Sequence, residues 1–284
     1  MPELPEVETV VRGLQTMLSG RRISNVRFGK TNFIDDPALL EKSLPGARIS
    51  GVRRYGKFIV LDVDSPSGSG PSPVLLVHLG MTGQLVTSSA EAPVAPHTHV
   101  FFTLDDGREL RYTDIRRFGK MRFLPHGVDG SILGKLGLDP LEATEREFLA
   151  RLRGRRARIK ALLLDQRVLR GMGNIYTDES LWRAHIHPKR LAANLRQDEL
   201  IRLRRAVRSV LTEAIRQGGS SISDFVDSGG FPGEFQLRHR VYQRQGKKCF
   251  RCGASIRRIV VAGRGSFFCP RCQPAPRARL HRQK

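Results

Sequence analysis

Beyond Glu234 the chain has no side-chain carboxylate, while 14 Lys and Arg residues follow. Its 284 residues include one Trp and four Tyr, so the cores must rest on aliphatic side chains and on the 14 Phe. No run of about 18 apolar residues occurs, so no membrane partner is expected. The start, Met1-Pro2-Glu3-Leu4-Pro5-Glu6, lacks the basic and apolar regions of a secretory signal, and the expected compartment is the cytoplasm, at the nucleoid. Wholesale disorder is excluded by an apolar content of 39%. The length fits about two domains of ordinary size.

What the chain has in excess is positive charge, and it is unevenly placed. There are 49 Lys and Arg against 27 Asp and Glu, a net charge of +22. Residues 1–150 hold 18 basic and 18 acidic side chains; residues 151–284 hold 31 and 9, which accounts for the whole excess. A one-sided field of this size captures a polyanion. A solvated basic surface is the bland alternative. An anionic membrane fits less well, because no basic amphipathic anchor stands out.

The hydrophobic pattern changes along the chain. Val7, Val10, Val11, Leu14, Met17 and Leu18 mark one face of a helix that Gly20 ends. From residue 22 to about 125 short β-branched runs follow, with Asp106-Gly107 as a hairpin turn between Val100 and Tyr112. This half reads as one helix plus a sandwich or flattened barrel. The stretch at 65–73 is a Ser/Pro/Gly loop. Helical spacing returns from about 142, including Leu200, Leu203, Val207, Val210, Leu211 and Ala214, closed by Gly218-Gly219. Residues 218–235 read as a flexible Gly/Ser-rich loop, and Gln273–Lys284 as a frayed tail.

All the cysteines lie in the last 40 residues: Cys249, Cys252, Cys269 and Cys272, two C-x2-C pairs separated by sixteen residues. Two close pairs joined by a hairpin supply four thiolates for one tetrahedral structural zinc. Four thiolates leave no open position for catalysis. Two disulfides are the alternative, and a cytoplasmic setting disfavours them. The hairpin strands are expected at Ile256–Val261 and Ser266–Phe268, with Ala262-Gly263-Arg264-Gly265 as the turn.

At the other end, removal of Met1 would free a secondary amine on Pro2. An α-amino group has a pKa near 8, so a fraction is neutral and nucleophilic at cellular pH. It could attack an electrophilic sugar carbon and form an iminium. Taken alone, Pro2 reads more readily as a sterically acceptable second residue, Lys57 as a surface charge at a strand end, and Met81 and Phe118 as core side chains.

The opening Pro2-Glu3-Leu4-Pro5-Glu6-Val7-Glu8-Thr9 resembles that of the formamidopyrimidine-DNA glycosylase family. Further similar motifs are Arg54-Tyr55-Gly56-Lys57, His78-Leu79-Gly80-Met81-Thr82-Gly83, Arg111 to Gly119, Gly173-Asn174-Ile175-Tyr176, Gln217 to Ser221 and the four-Cys hairpin with Arg264. The resemblance spans roughly residues 2–272, and Leu4 favours the purine-directed branch over the endonuclease VIII branch.

It implies an α+β fold: a catalytic β-sandwich domain with an N-terminal helix (1–130), a helical domain with a helix–two-turn–helix and lesion loop (131–235), and a zinc hairpin with basic tail (236–284). The implied activity is a monomeric, bifunctional glycosylase and AP lyase that removes oxidised purines from double-stranded DNA and proceeds by β,δ-elimination. By resemblance Pro2 is the nucleophile, Glu3 the acid/base, Lys57 the second acid in β-elimination, and Arg264 the δ-elimination and phosphate-binding cation. Met81, Arg116 and Phe118 correspond to the wedge that fills the gap left by an extruded nucleotide. His97, Arg155 and Asn174 correspond to further DNA contacts. Ile115 departs from the family, which often has Pro there. A non-catalytic zinc protein that binds nucleic acid, and a lyase for oxidised pyrimidines, remain open readings.

Overall fold

The computed structural model describes residues 1–64, 72–127 and 133–276. Most of the Ser/Pro/Gly stretch and the tail from 277 onward lie outside the described residues. The chain divides into two compact units, Met1–Lys135 with Ala214–Gln236, and Leu136–Glu213 with Leu237–Lys284.

The first unit contains α1 (Leu4–Leu18), β1 (Ile23–Phe28), α2 (Pro37–Ser43), β2 (Ile49–Tyr55), β3 (Phe58–Val63), β4 (Val74–His78), β5 (Gln84–Ser89), β6 (Thr98–Leu104), β7 (Arg108–Thr113) and β8 (Lys120–Leu124). The strands form two antiparallel four-stranded sheets, ordered β1-β6-β7-β5 and β2-β3-β4-β8. Alternate residues of each sheet face a shared core. Val100, Phe102, Leu110 and Tyr112 come from one sheet, and Ile59, Leu61, Leu75, Val77 and Met121 from the other. The expected sandwich is therefore present.

Helix α1 starts with Pro5 in its first turn and closes on the same core with Val7, Val10, Val11, Leu14 and Leu18. Gly20 follows the helix end, and its N–H donates to Ile49 O at 2.8 Å, which joins α1 to the start of β2.

The second unit contains α3 (Glu145–Leu152), α4 (Ile159–Leu164), α5 (Asn174–Arg183), α6 (Gln197–Arg216, whose last turn enters the first unit), β9 (Arg257–Val261) and β10 (Arg264–Phe268). The pair α4–α5, with the turns between, forms the helix–two-turn–helix. Among the described residues no helix is long and apolar enough to cross a membrane.

Three details differ from the sequence expectations. The zinc hairpin turns on two residues, not four: Ala262 (φ 51°) and Gly263 (φ 69°) are both left-handed, and Val261 pairs with Arg264. Two positive φ values match the twist of a tight hairpin, so Arg264 and Gly265 are strand residues. The segment 218–235, grouped above with the helices, belongs with the first unit and is braced by its own hydrogen bonds. Ser221 Oγ donates to Phe225 O at 2.7 Å, and Asp227 Oδ1 accepts from Gly229 N and Phe231 N. Finally, Gln273 is no part of a frayed tail. It is fully buried, donates to Ile186 O and accepts from Cys269 N.

Because α1 depends on one apolar stripe for its place, Leu14→Ala should destabilise the first unit by about 2–5 kcal/mol through lost burial and a residual cavity. Urea unfolding checks this, and an unchanged midpoint would refute the helix's dependence on that face.

Candidate functional site

Met1 is exposed, but the residues directly after it are not, unlike most chain ends. Pro2 and Glu3 are both buried, and Glu3 is the N-cap of α1. The buried Glu6 carboxylate accepts from Glu3 N at 2.8 Å through Oε2 and from Ser220 N at 2.7 Å through Oε1. One carboxylate thus fixes the helix start and the loop after Gly218-Gly219. A Cβ on Gly219 would stand 2.9 Å from Glu6 Oε1, and Gly219 has φ +81°, so this approach requires glycine.

Lys57 lies in the two-residue turn between β2 and β3 and is only 8% exposed. The neighbouring Arg54 is locked to Glu8 of α1, Nε to Oε2 at 2.8 Å. Burial alone would raise the Glu8 pKa, but Arg54 and Arg12 outweigh it and hold the carboxyl below its usual range. The hairpin with Lys57 and the helix with Pro2 are therefore tied by a charge-assisted bond.

At the end of β4, burial and then the Lys57 charge lower His78 to about 4, so its ring is neutral at physiological pH. Its Nδ1 accepts from Gly80 N at 3.1 Å, which places the proton on Nε2.

The expected wedge residues come together in the first unit. Met81 and Phe118 are 41% and 54% exposed, large apolar side chains held at a surface. The Arg116 guanidinium lies 4.5 Å from the Phe118 ring centroid, and its Nη1 is 3.2 Å from Met81 Sδ. Beneath them lies Asp114, fully buried, a residue to which the sequence reading gave no role. Its Oδ1 accepts from Thr82 Oγ1 (2.6 Å) and Arg116 N (3.2 Å); its Oδ2 accepts from Gly119 N (2.9 Å) and Tyr112 OH (3.1 Å). Burial, reinforced by this carboxylate, raises the Tyr112 hydroxyl pKa, so it remains a donor. The loops also nearly touch: a Cβ on Gly80 would lie 2.5 Å from Gly119 N. His97, exposed with φ 65°, accepts from Asp114 N through its carbonyl.

In the second unit Asn174 opens α5, and its Nδ2 donates to Gly265 O at 2.9 Å, the residue after Arg264. Arg264 is exposed at the start of β10. Arg155 is exposed in the turn after α3, its carbonyl accepting from Ala193 N. Glu179 of α5, also unforeseen, is buried, and its Oε1 accepts from the backbone N–H groups of Arg240, Val241 and Tyr242.

The four cysteine Sγ atoms lie within 4.8 Å of one another, with Cys252 and Cys269 at 3.4 Å and Cys249 and Cys272 at 4.0 Å. Tetrahedral zinc with bonds near 2.3 Å needs sulfur separations of about 3.8 Å, which this cluster meets.

Residues 1–121 match the family described as Formamidopyrimidine-DNA glycosylase N-terminal domain, and residues 136–226 match Formamidopyrimidine-DNA glycosylase H2TH domain. Residues 246–275 match the zinc finger found in FPG and IleRS. A Formamidopyrimidine-DNA glycosylase of Solibacter usitatus is 46% identical over 278 residues, covering 96% of this chain and 99% of that protein. The chain belongs to the formamidopyrimidine-DNA glycosylase family. The cysteine cluster is accordingly the site of one structural zinc. Among solved structures, a Lactococcus lactis FPG mutant with Fapy-dG DNA matches with a TM-score of 0.86 and 34% identity, over 96% of this chain and 100% of that one. The wild-type L. lactis protein with DNA containing an oxidised pyrimidine matches at 0.85 and 34%, with the same coverage.

Asp114→Asn keeps the shape but turns an amide NH2 toward N–H and O–H donors. It should cost about 1–3 kcal/mol, read from the thermal or urea midpoint. No change would mean that Asp114 does not organise the wedge loops.

Proposed function

We propose that the chain is a bifunctional DNA glycosylase and AP lyase that removes oxidised purines, 8-oxoguanine and formamidopyrimidines, from duplex DNA. The observation that carries this reading is the buried, pinned start of α1: once Met1 is removed, a proline held by the Glu3–Glu6–Ser220 hydrogen bonds is a preorganised amine. Family membership, the Fapy-dG DNA held by the L. lactis relative and the one-sided charge support it further.

With Met1 removed, the neutral Pro2 amine attacks C1′ of the damaged nucleotide. The C1′–N bond to the base breaks, its electron pair leaves with the base, and Glu3 manages the accompanying protons as the deoxyribose ring opens to an iminium. Loss of a C2′ proton then drives cleavage of the C3′–O3′ bond, the electron pair leaving on the 3′ phosphate, with Lys57 in the acid role. Loss of a further sugar proton drives cleavage of C5′–O5′, where Arg264 neutralises the departing phosphate. Water hydrolyses the remaining iminium and restores the amine. The wedge of Met81, Arg116 and Phe118 fills the space of the extruded nucleotide; Arg116 faces the orphaned base and can donate bidentately, as a cytosine partner would suit. Asn174 holds phosphate, and His97 and Arg155 make further contacts to the DNA. By role in the reaction, as distinct from the two packed units, the parts are 1–130, 131–235 and 236–284, and the enzyme works in the cytoplasm at the nucleoid.

The oxidised-pyrimidine DNA bound by the L. lactis protein favours a second reading, in which the same chemistry extends to pyrimidine lesions. Duplexes containing 8-oxoguanine opposite cytosine, or thymine glycol, should separate the two. The expected result is faster cleavage at 8-oxoguanine, a gap with phosphate at both ends, and loss of base excision in Glu3→Gln with DNA binding retained. Faster cleavage at thymine glycol would reverse the substrate assignment, and no cleavage of either duplex would reduce the chain to a binding protein.

A further inference from the structure

The second unit contains a charged pair that the reaction above does not use. Lys160 of α4 and Asp178 of α5 are both buried, with Nζ and Oδ1 2.6 Å apart. Each also reaches the zinc hairpin. Lys160 Nζ donates to Gly265 O at 3.1 Å, and Asp178 Oδ2 accepts from Phe267 N at 2.8 Å. In an extended strand the carbonyl of one residue and the N–H two residues later point to the same side. Strand β9 occupies one edge of β10; the ion pair supplies a donor and an acceptor to the other, as a neighbouring strand would.

We infer that Lys160 and Asp178 are positioning residues for Arg264, clamping the free edge of β10 so that the cation at its start has one fixed place relative to the helix–two-turn–helix. An isolated two-stranded hairpin is marginal in water, and the zinc secures only the Cys269 end of β10. Arg264 stands five residues away, roughly 16 Å along the strand. The clamp acts at the residue beside it, where Asn174, one helical turn before Asp178, adds a second donor to Gly265 O. Stability alone does not demand charges here, since buried ion pairs are often replaceable by apolar side chains without loss. Burial pushes the Asp178 carboxyl up, against the pull of Lys160 and then of the Phe267 N–H. Polar anchoring of a backbone edge is the task apolar side chains could not perform.

This inference rests on the δ-elimination role proposed for Arg264, and the product mixture separates the two. The test uses zinc-loaded, full-length protein on a duplex with an abasic site under single turnover, with active molecules counted by borohydride trapping. Wild type should yield mainly the δ product. Asp178→Asn, which weakens the clamp, should lower the ratio of δ to β product by roughly tenfold per active molecule, since small misplacements of a reacting group have effects of this order or larger. A merely stabilising role would reduce the number of active molecules and leave the ratio unchanged, which would overturn the inference. Absence of δ product in wild type would overturn the Arg264 assignment on which it rests. Lys160→Met, alone and combined with Asp178→Asn, covers the case in which one variant fails to fold. If the pair acts as one clamp, the double variant should shift the ratio no further than the stronger single variant, and multiplying effects would contradict a shared clamp.

Discussion

One group, the buried Glu6 carboxylate, holds the start of the chain, and the role proposed for Pro2 depends on that hold. One oxygen secures the backbone of Glu3 and the other the backbone of Ser220, a residue 214 positions away. Termini normally fray because ordering them costs conformational entropy without compensating contacts. In this chain the apolar stripe of α1 supplies the contacts, and the buried Glu6 supplies direction. The left-handed Gly219 follows from the same requirement, because any side chain there would meet the carboxylate. So does the membership of Ala214–Gln236 in the first unit.

Buried carboxylates recur as the means of fixing loops. Asp114 gathers four donors beneath Met81, Arg116 and Phe118. Glu179 collects three consecutive backbone N–H groups ahead of the zinc knuckle, and Asp178 holds β10. Burying these groups is costly unless every oxygen is engaged, and engaged they are rigid. The exposed arginines that give the second half its charge can then serve a polyanion, while the acidic residues work inward.

Much of this was legible in the sequence. The period of Val7 to Leu18 gave the helix, the Asp106-Gly107 turn gave a hairpin, and the paired cysteines gave the metal site, because each signal is local. The family motifs supplied the candidate roles of Pro2, Lys57 and Arg264, and for Pro2 and Lys57 the residues taken alone favoured bland readings. What stayed hidden depends on distant pairing. Nothing in the spacing of Glu6 and Ser220, or of Asp178 and Phe267, indicates that they meet. Every residue of α5 from Ile175 to Trp182 is buried, acids included, so an amphipathic pattern could not mark its faces. The hairpin turn was misjudged because Ala262 takes a left-handed φ usually left to glycine.

The most direct measurement is to reduce the protein with borohydride during turnover on an 8-oxoguanine duplex, digest it, and locate the sugar remnant by mass spectrometry. The remnant should sit on a peptide that begins at Pro2, with Met1 gone. A remnant on a lysine, or trapping by protein that still carries Met1, would contradict the assignment of the terminal proline as nucleophile.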